Sequence, residues 1–521
     1  MKKLFSRFTL VGLTIILMFL FSFALIAGAI YVALYLFNYY LPDYTVYLYY
    51  LLVGLAWLIE VMAVLHVVNR DMFPESKLPW ILCIVALNVL GVAIYIVFSH
   101  NRPTRFQHRR YMILYRHSQP FLKRSFSKEY LEETLKSRAD VSEALLLSSP
   151  AAVAYGNTKT KYFPSGESFY EALLQDLERA EKYIFLEFFI IAKGEMWSGV
   201  LDVLRRKVQE GVEVRVMYDD IGSVSRVHVR YCKTLRKMGI QCVKFNPFVP
   251  VITNVHNFRD HRKIVIIDGK IAYTGGINLG DEYINKTHLY GHWKDSAIRL
   301  EGEGVKNFIL LFLAMYDLQI KKEEDFAKYI PEYEKYEDEG IVQAFGSGPR
   351  PMYERQIAED VFINILGGAK EYVYITTPYL IIDYRMREAL CLAAQRGVDV
   401  RIVTPKIPDK KIIFALTRSN YMALIKAGVK IYEYSPGFIH AKNFLCDGEV
   451  GVVGTVNLDY RSFVHHYEDA VLMFKTKALE EIRRDFDEIF EISELQTKES
   501  AKRNIIFRWI LEIAKVFAPL F

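Results

Sequence analysis

Long uncharged runs dominate the first hundred residues of the chain. Residues 8–42 and 78–99 contain no charged side chain, and residues 44–69 contain only Glu60. Because about 20 apolar residues suffice for a helix to cross the hydrocarbon of a bilayer, the pattern predicts two to three transmembrane helices within residues 1–100. The third of them is the run around Glu60, a carboxylate that we interpret as lying near a helix end.

Beyond residue 100 the pattern changes to alternating amphipathic helices and short strands rich in β-branched residues. A basic connector over residues 101–149 leads into two similar segments, residues 150–320 and 341–492. In both, a helix ends at a glycine and a strand follows at once, as in Gly211-Val-Glu-Val-Arg-Val216 and Gly397-Val-Asp-Val-Arg-Ile402. The pattern predicts an α/β fold with two similar lobes related by a pseudo-twofold axis. Each lobe is expected to be a mixed, largely parallel sheet flanked by helices.

Two further segments complete this organisation. Residues 321–340 are rich in charged side chains, which predicts a solvated linker between the lobes. Residues 501–521 place apolar side chains on one helical face and charged ones on the other. This predicts a C-terminal amphipathic helix in contact with the membrane.

The composition argues against several classes of function. The net charge of +6 over 521 residues is modest and neither lobe has a dense basic stripe, so we expect no nucleic-acid partner. The five cysteines are scattered and lack Cys-x-x-Cys spacing, which argues against a zinc site or a disulfide framework. The sequence also lacks the glycine motifs that bind nucleotides. We therefore expect neither a metal nor an organic cofactor.

One motif occurs twice, once in each lobe. The first copy is His261-Arg-Lys263-x4-Asp268 and the second is His440-Ala-Lys442-x4-Asp447. Each copy is followed at the same spacing by a glycine-containing segment that ends in asparagine. These two segments are Gly275-Gly276-Ile-Asn278 and Gly454-Thr455-Val-Asn457. Two copies with matching tails indicate chemistry that uses both His-Lys pairs together.

The spacing within the motif predicts a site that cleaves phosphodiesters. Residues i and i+2 of a strand point to the same face, so each histidine projects together with its lysine. If the lobes face each other, one imidazole can attack a phosphorus atom while the other protonates the departing oxygen. The two lysines, with Asn278 and Asn457, are expected to bind the non-bridging oxygens and to stabilise the charge of the transition state.

The duplicated motif with its Gly-Gly/Thr-x-Asn tail resembles that of the phospholipase D superfamily, over roughly residues 156–492. Flanking segments narrow the resemblance to the bacterial cardiolipin synthases. They are Asp220-Ile-Gly222-Ser223, Asn257-Phe-Arg-Asp260, Gly346-Ser-Gly348-Pro349 and Gly454-Thr-Val-Asn457-Leu-Asp-Tyr-Arg461-Ser462. The N-terminal apolar segments and the short C-terminal helix also match that family.

The resemblance implies an enzyme that transfers a phosphatidyl group from one phosphatidylglycerol to another through a phosphatidyl-histidine intermediate, releasing glycerol. It also implies a multi-pass protein of the bacterial cell membrane, with phosphatidylglycerol and cardiolipin as lipid partners. His261 is expected to be the nucleophile and His440 the general acid and base. The near-symmetry of the two motifs leaves the reverse assignment open.

Further residues are assigned to supporting roles. Asp268 and Asp447 belong to the catalytic motifs and are expected to orient the histidine-bearing loops or to hold contacts between the halves. Glu187 and Glu468, at equivalent-looking strand ends, are expected to hydrogen-bond the second ring nitrogen of a histidine and so to select its tautomer, as the resemblance implies. The remaining supporting positions are Gly276 and Thr455.

Three alternatives stay open at this stage. A membrane phospholipase D that hydrolyses lipid, or that transfers to another head-group alcohol, would use the same paired motifs. A nuclease of the superfamily is disfavoured by the apolar segments and the weak basic character. A catalytically silent scaffold is disfavoured by the intact histidines and lysines. The oligomeric state is not predicted.

Overall fold

A computed structural model describes residues 38–72, 74–99, 152–247, 257–322, 324–336, 340–350 and 352–502, with short pieces between 28 and 36, between 109 and 141 and between 509 and 516. The chain divides into two compact units, one within residues 1–100 and a larger one that carries both lobes. The predicted basic connector, the predicted span over residues 8–42 and the predicted C-terminal helix lie mostly outside the described residues.

The smaller unit contains two long helices, α1 (Pro42–Asn69) and α2 (Pro74–Phe98). Their apolar stretches, Tyr44–Asn69 and Pro74–Phe98, have mean hydropathies of 2.3 and 2.8. By length and composition both stretches are sufficient to cross a membrane. They coincide with two of the segments that the charge-free runs predict.

The larger unit alternates strands and helices. Lobe 1 contains β1 (Thr158–Phe163), α3 (Gly166–Glu178), β2 (Tyr183–Phe188), α4 (Glu195–Gln209), β3 (Glu213–Asp219), α5 (Asp220–Ser223), α6 (Tyr231–Lys237), β4 (Gln241–Phe245), β5 (Lys263–Ile267), β6 (Ile271–Gly275), β7 (His292–Lys294), β8 (Ala297–Gly302) and α7 (Val305–Ile320). A short 3-10 helix, Phe326–Tyr329, follows. Lobe 2 contains β9 (Ile341–Ser347), α8 (Ile357–Gly368), β10 (Tyr372–Thr376), β11 (Leu380–Ile381), α9 (Tyr384–Gln395), β12 (Asp399–Pro405), α10 (Lys411–Ser419), α11 (Tyr421–Ala427), β13 (Lys430–Tyr434), β14 (Gly437–Ile439), β15 (Asn443–Cys446), β16 (Val450–Gly454), β17 (Leu458–Asp459), α12 (Tyr460–Val464), β18 (Glu468–Phe474), α13 (Ala478–Glu491), β19 (Ser493–Leu495) and α14 (Lys498–Ala501).

Each lobe is built on one large sheet. The strand order is β1-β8-β6-β5-β2-β3-β4 in the seven-stranded sheet of lobe 1 and β19-β13-β12-β10-β15-β16-β18-β9 in the eight-stranded sheet of lobe 2. The motif strands β5 and β15 pair with β2 and β10 and are buried along their whole length. Their apolar residues form part of the core, so the residues just before each strand are held on a rigid base.

The predicted two-lobed α/β fold is confirmed, but the prediction that its sheets are largely parallel is wrong. Within the two large sheets only β2-β3-β4 and β10-β12-β13 pair in parallel, and the other pairs are antiparallel. The cause lies in the turns Asp268-Gly269 and Asp447-Gly448, where both residues have positive φ. Asp-Gly in this conformation makes a tight hairpin, so each motif strand folds straight back on itself.

The motif aspartates hold these hairpins to the adjacent strand. The carboxylate of Asp268 accepts hydrogen bonds from the backbone N–H groups of residues 181–183 at 2.7 to 2.8 Å. Asp447 accepts the equivalent bonds from residues 370–372 at 2.8 to 3.0 Å. Both aspartates therefore lie at the end of the motif strand away from its histidine, across about 23 Å of extended chain.

We expect Asp268→Ala to lower the free energy of unfolding by about 3 kcal/mol. Three N–H groups lose a charged acceptor, and alanine must occupy the left-handed backbone region. Asp268→Asn keeps an acceptor oxygen, and asparagine tolerates that conformation. It should therefore lower the free energy of unfolding by less than half as much as Asp268→Ala. Thermal unfolding midpoints measure both variants. The exposed Asp202 supplies the control, and a midpoint for Asp268→Ala equal to that of Asp202→Ala would contradict the expectation.

The segment predicted to be a solvated linker packs against lobe 1 instead. In its described part, Phe326 and Tyr329 are buried. The hydroxyl of Tyr183 donates to the carbonyl of Tyr329, and the hydroxyl of Tyr329 accepts a hydrogen bond from Arg215 at 2.7 Å. Charged residues of the segment also pair with lobe 1, as Glu324 does with Arg215 at 3.4 Å and Lys328 with Glu213 at 3.2 Å.

Candidate active site

Short parallel β-bridges join the two lobes immediately before each motif histidine. Strand β14 pairs with β7 on one side, and Asp260 bridges to Tyr467 on the other. The N–H of His440 donates to the carbonyl of Lys294 at 2.7 Å, and the N–H of His261 donates to the carbonyl of Tyr467 at 2.9 Å. Each histidine is thus positioned by the backbone of the opposite lobe.

The residue after each bridging carbonyl supplies a carboxylate to the same histidine. The Nδ1 atom of His261 lies 2.9 Å from Oε2 of Glu468, and Nδ1 of His440 lies 2.7 Å from Oδ2 of Asp295. An ionised carboxylate only accepts hydrogen bonds, so the proton of each neutral ring resides on Nδ1. The lone pair of Nε2 is then available on both rings.

Burial keeps both imidazoles neutral near pH 7. It lowers the pKa of His440 to about 4, with the charge of Lys442 acting in the same direction. The pKa of His261 is also well below its ordinary value, first through burial and then through the charges of Lys263 and Lys442. Burial alone would raise the pKa of Asp295, but His440 and Lys442 outweigh it and hold that pKa below its usual range.

The two motif lysines are buried beside the histidines. The Nζ atom of Lys263 donates to the carbonyl of His261 at 2.6 Å, and Nζ of Lys442 donates to the carbonyl of His440. Burial lowers the pKa of Lys263 to about 8 and that of Lys442 to about 7. Each ammonium group keeps hydrogens for a further acceptor, and a bound anion would restore its ordinary pKa.

Gly276 and Thr455 occupy equivalent positions, and each lies against one of the two carboxylates that bind the histidines. The hydroxyl of Thr455 donates to Oε2 of Glu468. A Cβ atom on Gly276 would lie 2.0 Å from Oδ1 of Asp295, so this glycine provides the space that Asp295 occupies. The supporting roles of the two residues in catalysis stay a prediction.

The two asparagines lie beside the motif strands but are partly engaged. Asn278 accepts from the N–H of Ile190 at 3.0 Å and donates to the hydroxyl of Tyr283 at 2.6 Å. Asn457 donates to Asp459 at 3.1 Å, and its buried Oδ1 has no partner among the described residues. One amide hydrogen on each side chain is left over, and the binding of phosphate oxygens by these groups stays a prediction.

Of the two glutamates predicted to bind a histidine, only Glu468 does so. Glu187 is fully buried on β2, next to Asp260 and 3.8 Å from the guanidinium of Arg262. Burial and the charge of Asp260 raise the pKa of Glu187 well above its ordinary value. Its place in the fold is equivalent to that of Thr376 and not to that of Glu468.

The second carboxylate is Asp295, to which the sequence analysis assigned no role. Strand pairing places Gly275 opposite Ala297 and Gly454 opposite Ala470, and the carboxylate stands two residues before each alanine. Along the sequence it lies 20 residues after Gly275 but only 14 after Gly454. Because the two loops differ in length, spacing along the sequence does not show that Asp295 and Glu468 are equivalent, whereas the strand register does.

The surroundings of the two imidazoles differ. The ring of His440 packs among aromatic side chains, namely Tyr283 at 5.6 Å, Trp293 at 5.4 Å and Phe438 at 6.0 Å between centroids. The ring of His261 contacts Phe189 at 5.0 Å and the imidazole of His466 at 5.4 Å. One half of the site is therefore apolar and the other contains additional polar groups.

Three potential metal ligands, His261, His466 and Glu468, have donor atoms within 4.8 Å of one another. The oxygens of Glu468 already accept hydrogen bonds from Nδ1 of His261 and from Thr455. Hydrogen bonding accounts for the proximity of His261 and Glu468, and the ring of His466 packs against that of His261.

Comparison with known proteins agrees with this geometry. The family model described as cardiolipin synthase, PLD-like domain, matches residues 173–289 and 362–490. An uncharacterised protein of Streptococcus mutans is 43% identical, covering 88% of this chain and 99% of that protein. A cardiolipin synthase of a Geobacillus species is 32% identical over 88% of this chain and 91% of its own length. Cardiolipin synthase 1 of Bacillus anthracis is 32% identical over 90% and 94% respectively.

A solved structure supports the fold. The crystal structure of phosphatidylserine synthase from Haemophilus influenzae superposes with a TM-score of 0.54 at 15% identity, covering 70% of this chain and 93% of that one. With the duplicated motif, the facing lobes and relatives of nearly equal length, these comparisons place the chain in a family. It belongs to the cardiolipin synthases with a PLD-like domain, a family of phosphatidyltransferases in the phospholipase D superfamily.

Proposed function

We propose that this protein synthesises cardiolipin by transferring a phosphatidyl group from one phosphatidylglycerol to a second one. The observation that carries the proposal is the pair of neutral imidazoles, each with Nδ1 held by a carboxylate of the opposite lobe. Such a pair supplies a nucleophile and a general acid without a metal ion. The names of the relatives and the two long apolar helices support a phospholipid substrate taken from a membrane.

In the first step, Nε2 of His261 attacks the phosphorus of phosphatidylglycerol and the bond to the glycerol oxygen breaks. The negative phosphodiester raises the pKa of His440, and the ionised Asp295 stabilises its imidazolium form, so that His440 can protonate the departing glycerol. The ammonium groups of Lys263 and Lys442 stabilise the charge that develops on the non-bridging oxygens. A phosphatidyl-histidine remains.

In the second step, a hydroxyl of another phosphatidylglycerol attacks the phosphatidyl-histidine. Neutral His440 takes the hydroxyl proton as the new phosphorus–oxygen bond forms and the bond to His261 breaks. One phosphodiester replaces another, so the reaction needs no nucleotide. A membrane phospholipase D would follow the same first step and use water in the second.

Product analysis separates these activities. The full-length protein is reconstituted with phosphatidylglycerol as the sole lipid, and the lipids and free glycerol are then quantified. Cardiolipin and glycerol in equal amounts are expected. Phosphatidic acid as the main product would instead identify a hydrolase, and a product formed only with an added alcohol would identify a different transferase.

The pH dependence of kcat/KM should show a falling limb near pH 7 to 8. The lysines bind phosphate only when protonated, and burial has lowered the pKa of Lys442 to about 7 and that of Lys263 to about 8. Raising the pH through this range therefore removes their charges in the free enzyme, and the pair titrates together. Lys442→Arg keeps its charge, so its limb should move to higher pH whatever its absolute rate. An unchanged limb would show that another group titrates.

A further inference from the structure

One arginine near His261 makes no salt bridge with a described residue, although the charge of Asp459 acts on it. Arg461 lies on α12, its side chain is partly buried, and its buried Nε has no hydrogen-bond partner among the described residues. The neighbouring arginines are satisfied: Arg259 pairs with Asp219 at 3.2 Å, and Arg262 donates to the hydroxyl of Tyr353 at 2.9 Å. A partly buried cation that no salt bridge neutralises costs free energy, and a bound anion would lower that cost.

A second unsatisfied group lies next to this arginine. His466 is buried and its ring centroid is 5.4 Å from that of His261. Its Nδ1 lies 3.5 Å from Oε1 of Glu468, and its Nε2 has no hydrogen-bond partner among the described residues. The carbonyl of Arg461 accepts the N–H of His466, so both belong to one turn of chain. After burial itself, the charge of Arg461 is among the causes that lower the pKa of His261 and of His466.

In lobe 1 an aromatic residue takes the place of His466. The strand register makes Trp293 the equivalent of His466, and aromatic rings surround His440. In the proposed reaction the phosphorus lies between the lobes, and both lobes contribute a histidine, a lysine and a carboxylate to its site. Polar groups that occur in one lobe only are suited to a ligand group that is present once.

We propose that Arg461 and His466 form an anion subsite for the phosphate of the acceptor phospholipid, the one whose hydroxyl attacks. This inference rests on the proposed function. Lys263 and Lys442 already balance the reacting phosphate, whereas the acceptor brings a second negative charge into the buried cleft. A glycerol bridge joins that phosphate to the attacking hydroxyl, so both must enter together. The guanidinium binds the phosphate as a bidentate donor, and His466 donates one N–H.

The subsite takes no part in bond making. The acceptor oxygen bonds to phosphorus, the phosphorus–histidine bond breaks and the hydroxyl proton passes to His440, as in the proposed reaction. A small neutral acceptor such as glycerol would undergo the same step without using Arg461. The subsite therefore selects an anionic lipid in preference to water or a neutral alcohol.

The test compares two reactions of the full-length protein in phosphatidylglycerol vesicles. One is cardiolipin formation, and the other is exchange of labelled glycerol into phosphatidylglycerol, which uses an acceptor without phosphate. Arg461→Gln should reduce cardiolipin formation about tenfold to a hundredfold and leave exchange within about twofold. Arg461→Lys keeps the charge and should lie between the two. The exposed Arg484 provides the matched control, Arg484→Gln, which should alter neither reaction.

Each outcome is decisive. Equal losses in both reactions would place Arg461 on the reacting phosphate and overturn the subsite, as would no loss in either. Thermal unfolding shows whether the variants are folded. If Arg461→Gln is not folded, the comparison of the two reactions is made with Arg461→Lys. A wild-type protein that exchanges glycerol but forms no cardiolipin would refute the proposed function and the subsite with it. A wild-type protein that forms cardiolipin, with an unchanged ratio in the variants, would refute the subsite alone.

Discussion

His261→Ala and His440→Ala should each reduce cardiolipin formation by about 10⁴-fold or more, because one removes the nucleophile and the other the proton donor. The two variants are expected to fail at different points. With a phosphatidyl ester of p-nitrophenol, the leaving group needs no protonation. His440→Ala should then release one equivalent of nitrophenol in a burst and retain the phosphatidyl group, whereas His261→Ala should show no burst.

Mass spectrometry of the trapped protein locates the phosphatidyl group. We expect it on the peptide that contains His261. An adduct on His440 in the His261→Ala variant, with no burst from His440→Ala, would reverse the two roles. The matched control is His288→Ala, which removes an exposed histidine of lobe 1 and should leave the rate unchanged.

Asp295→Asn and Glu468→Gln should each lower kcat by about 10² to 10⁴-fold with little change in KM. An amide can present its N–H₂ group to Nδ1, which moves the imidazole proton to Nε2 and removes the lone pair that the reaction needs. It also removes the negative charge that stabilises the imidazolium form. Steady-state kinetics on each variant measure the two constants separately.

Glu187→Gln is the informative comparison for these two variants. Glu187 is as buried as Asp295, and burial raises its pKa well above its ordinary value, so the neutral amide resembles the side chain it replaces. Because Glu187 contacts neither imidazole, the kinetics should change little. Full activity in Asp295→Asn, or a loss in Glu187→Gln as large as that in Glu468→Gln, would contradict the assignment of the carboxylates.

The motif histidine of each lobe is bound by a carboxylate of the other lobe, so neither lobe alone contains a complete site. Glu468 of lobe 2 holds the histidine of lobe 1, and Asp295 of lobe 1 holds the histidine of lobe 2. The same two segments provide the backbone carbonyls that bind the histidine N–H groups. A shift between the lobes would therefore disturb both imidazoles at once, which links catalysis to the docking of the two sheets.

Local spacing was enough to predict much of this protein. The i, i+2 relation of His261 and Lys263 puts both side chains on one face, and the buried strand after them follows from its apolar residues. The charge-free runs predicted two helices that the structure contains. The hairpin signals Asp268-Gly269 and Asp447-Gly448 were also present, and weighing them would have predicted the antiparallel pairs.

The amino-acid sequence by itself determined the duplicated motif, the two-lobed α/β fold and the apolar helices, because periodicity and turn chemistry act over a few residues. Only the tertiary structure decided that Asp295 binds His440, that Glu187 binds neither histidine and that Arg461 makes no salt bridge with a described residue. The carboxylates are 145 and 207 residues away from the imidazoles they bind. Contacts over such separations arise from the strand register and from the docking of the lobes, and neither leaves a regular spacing along the chain.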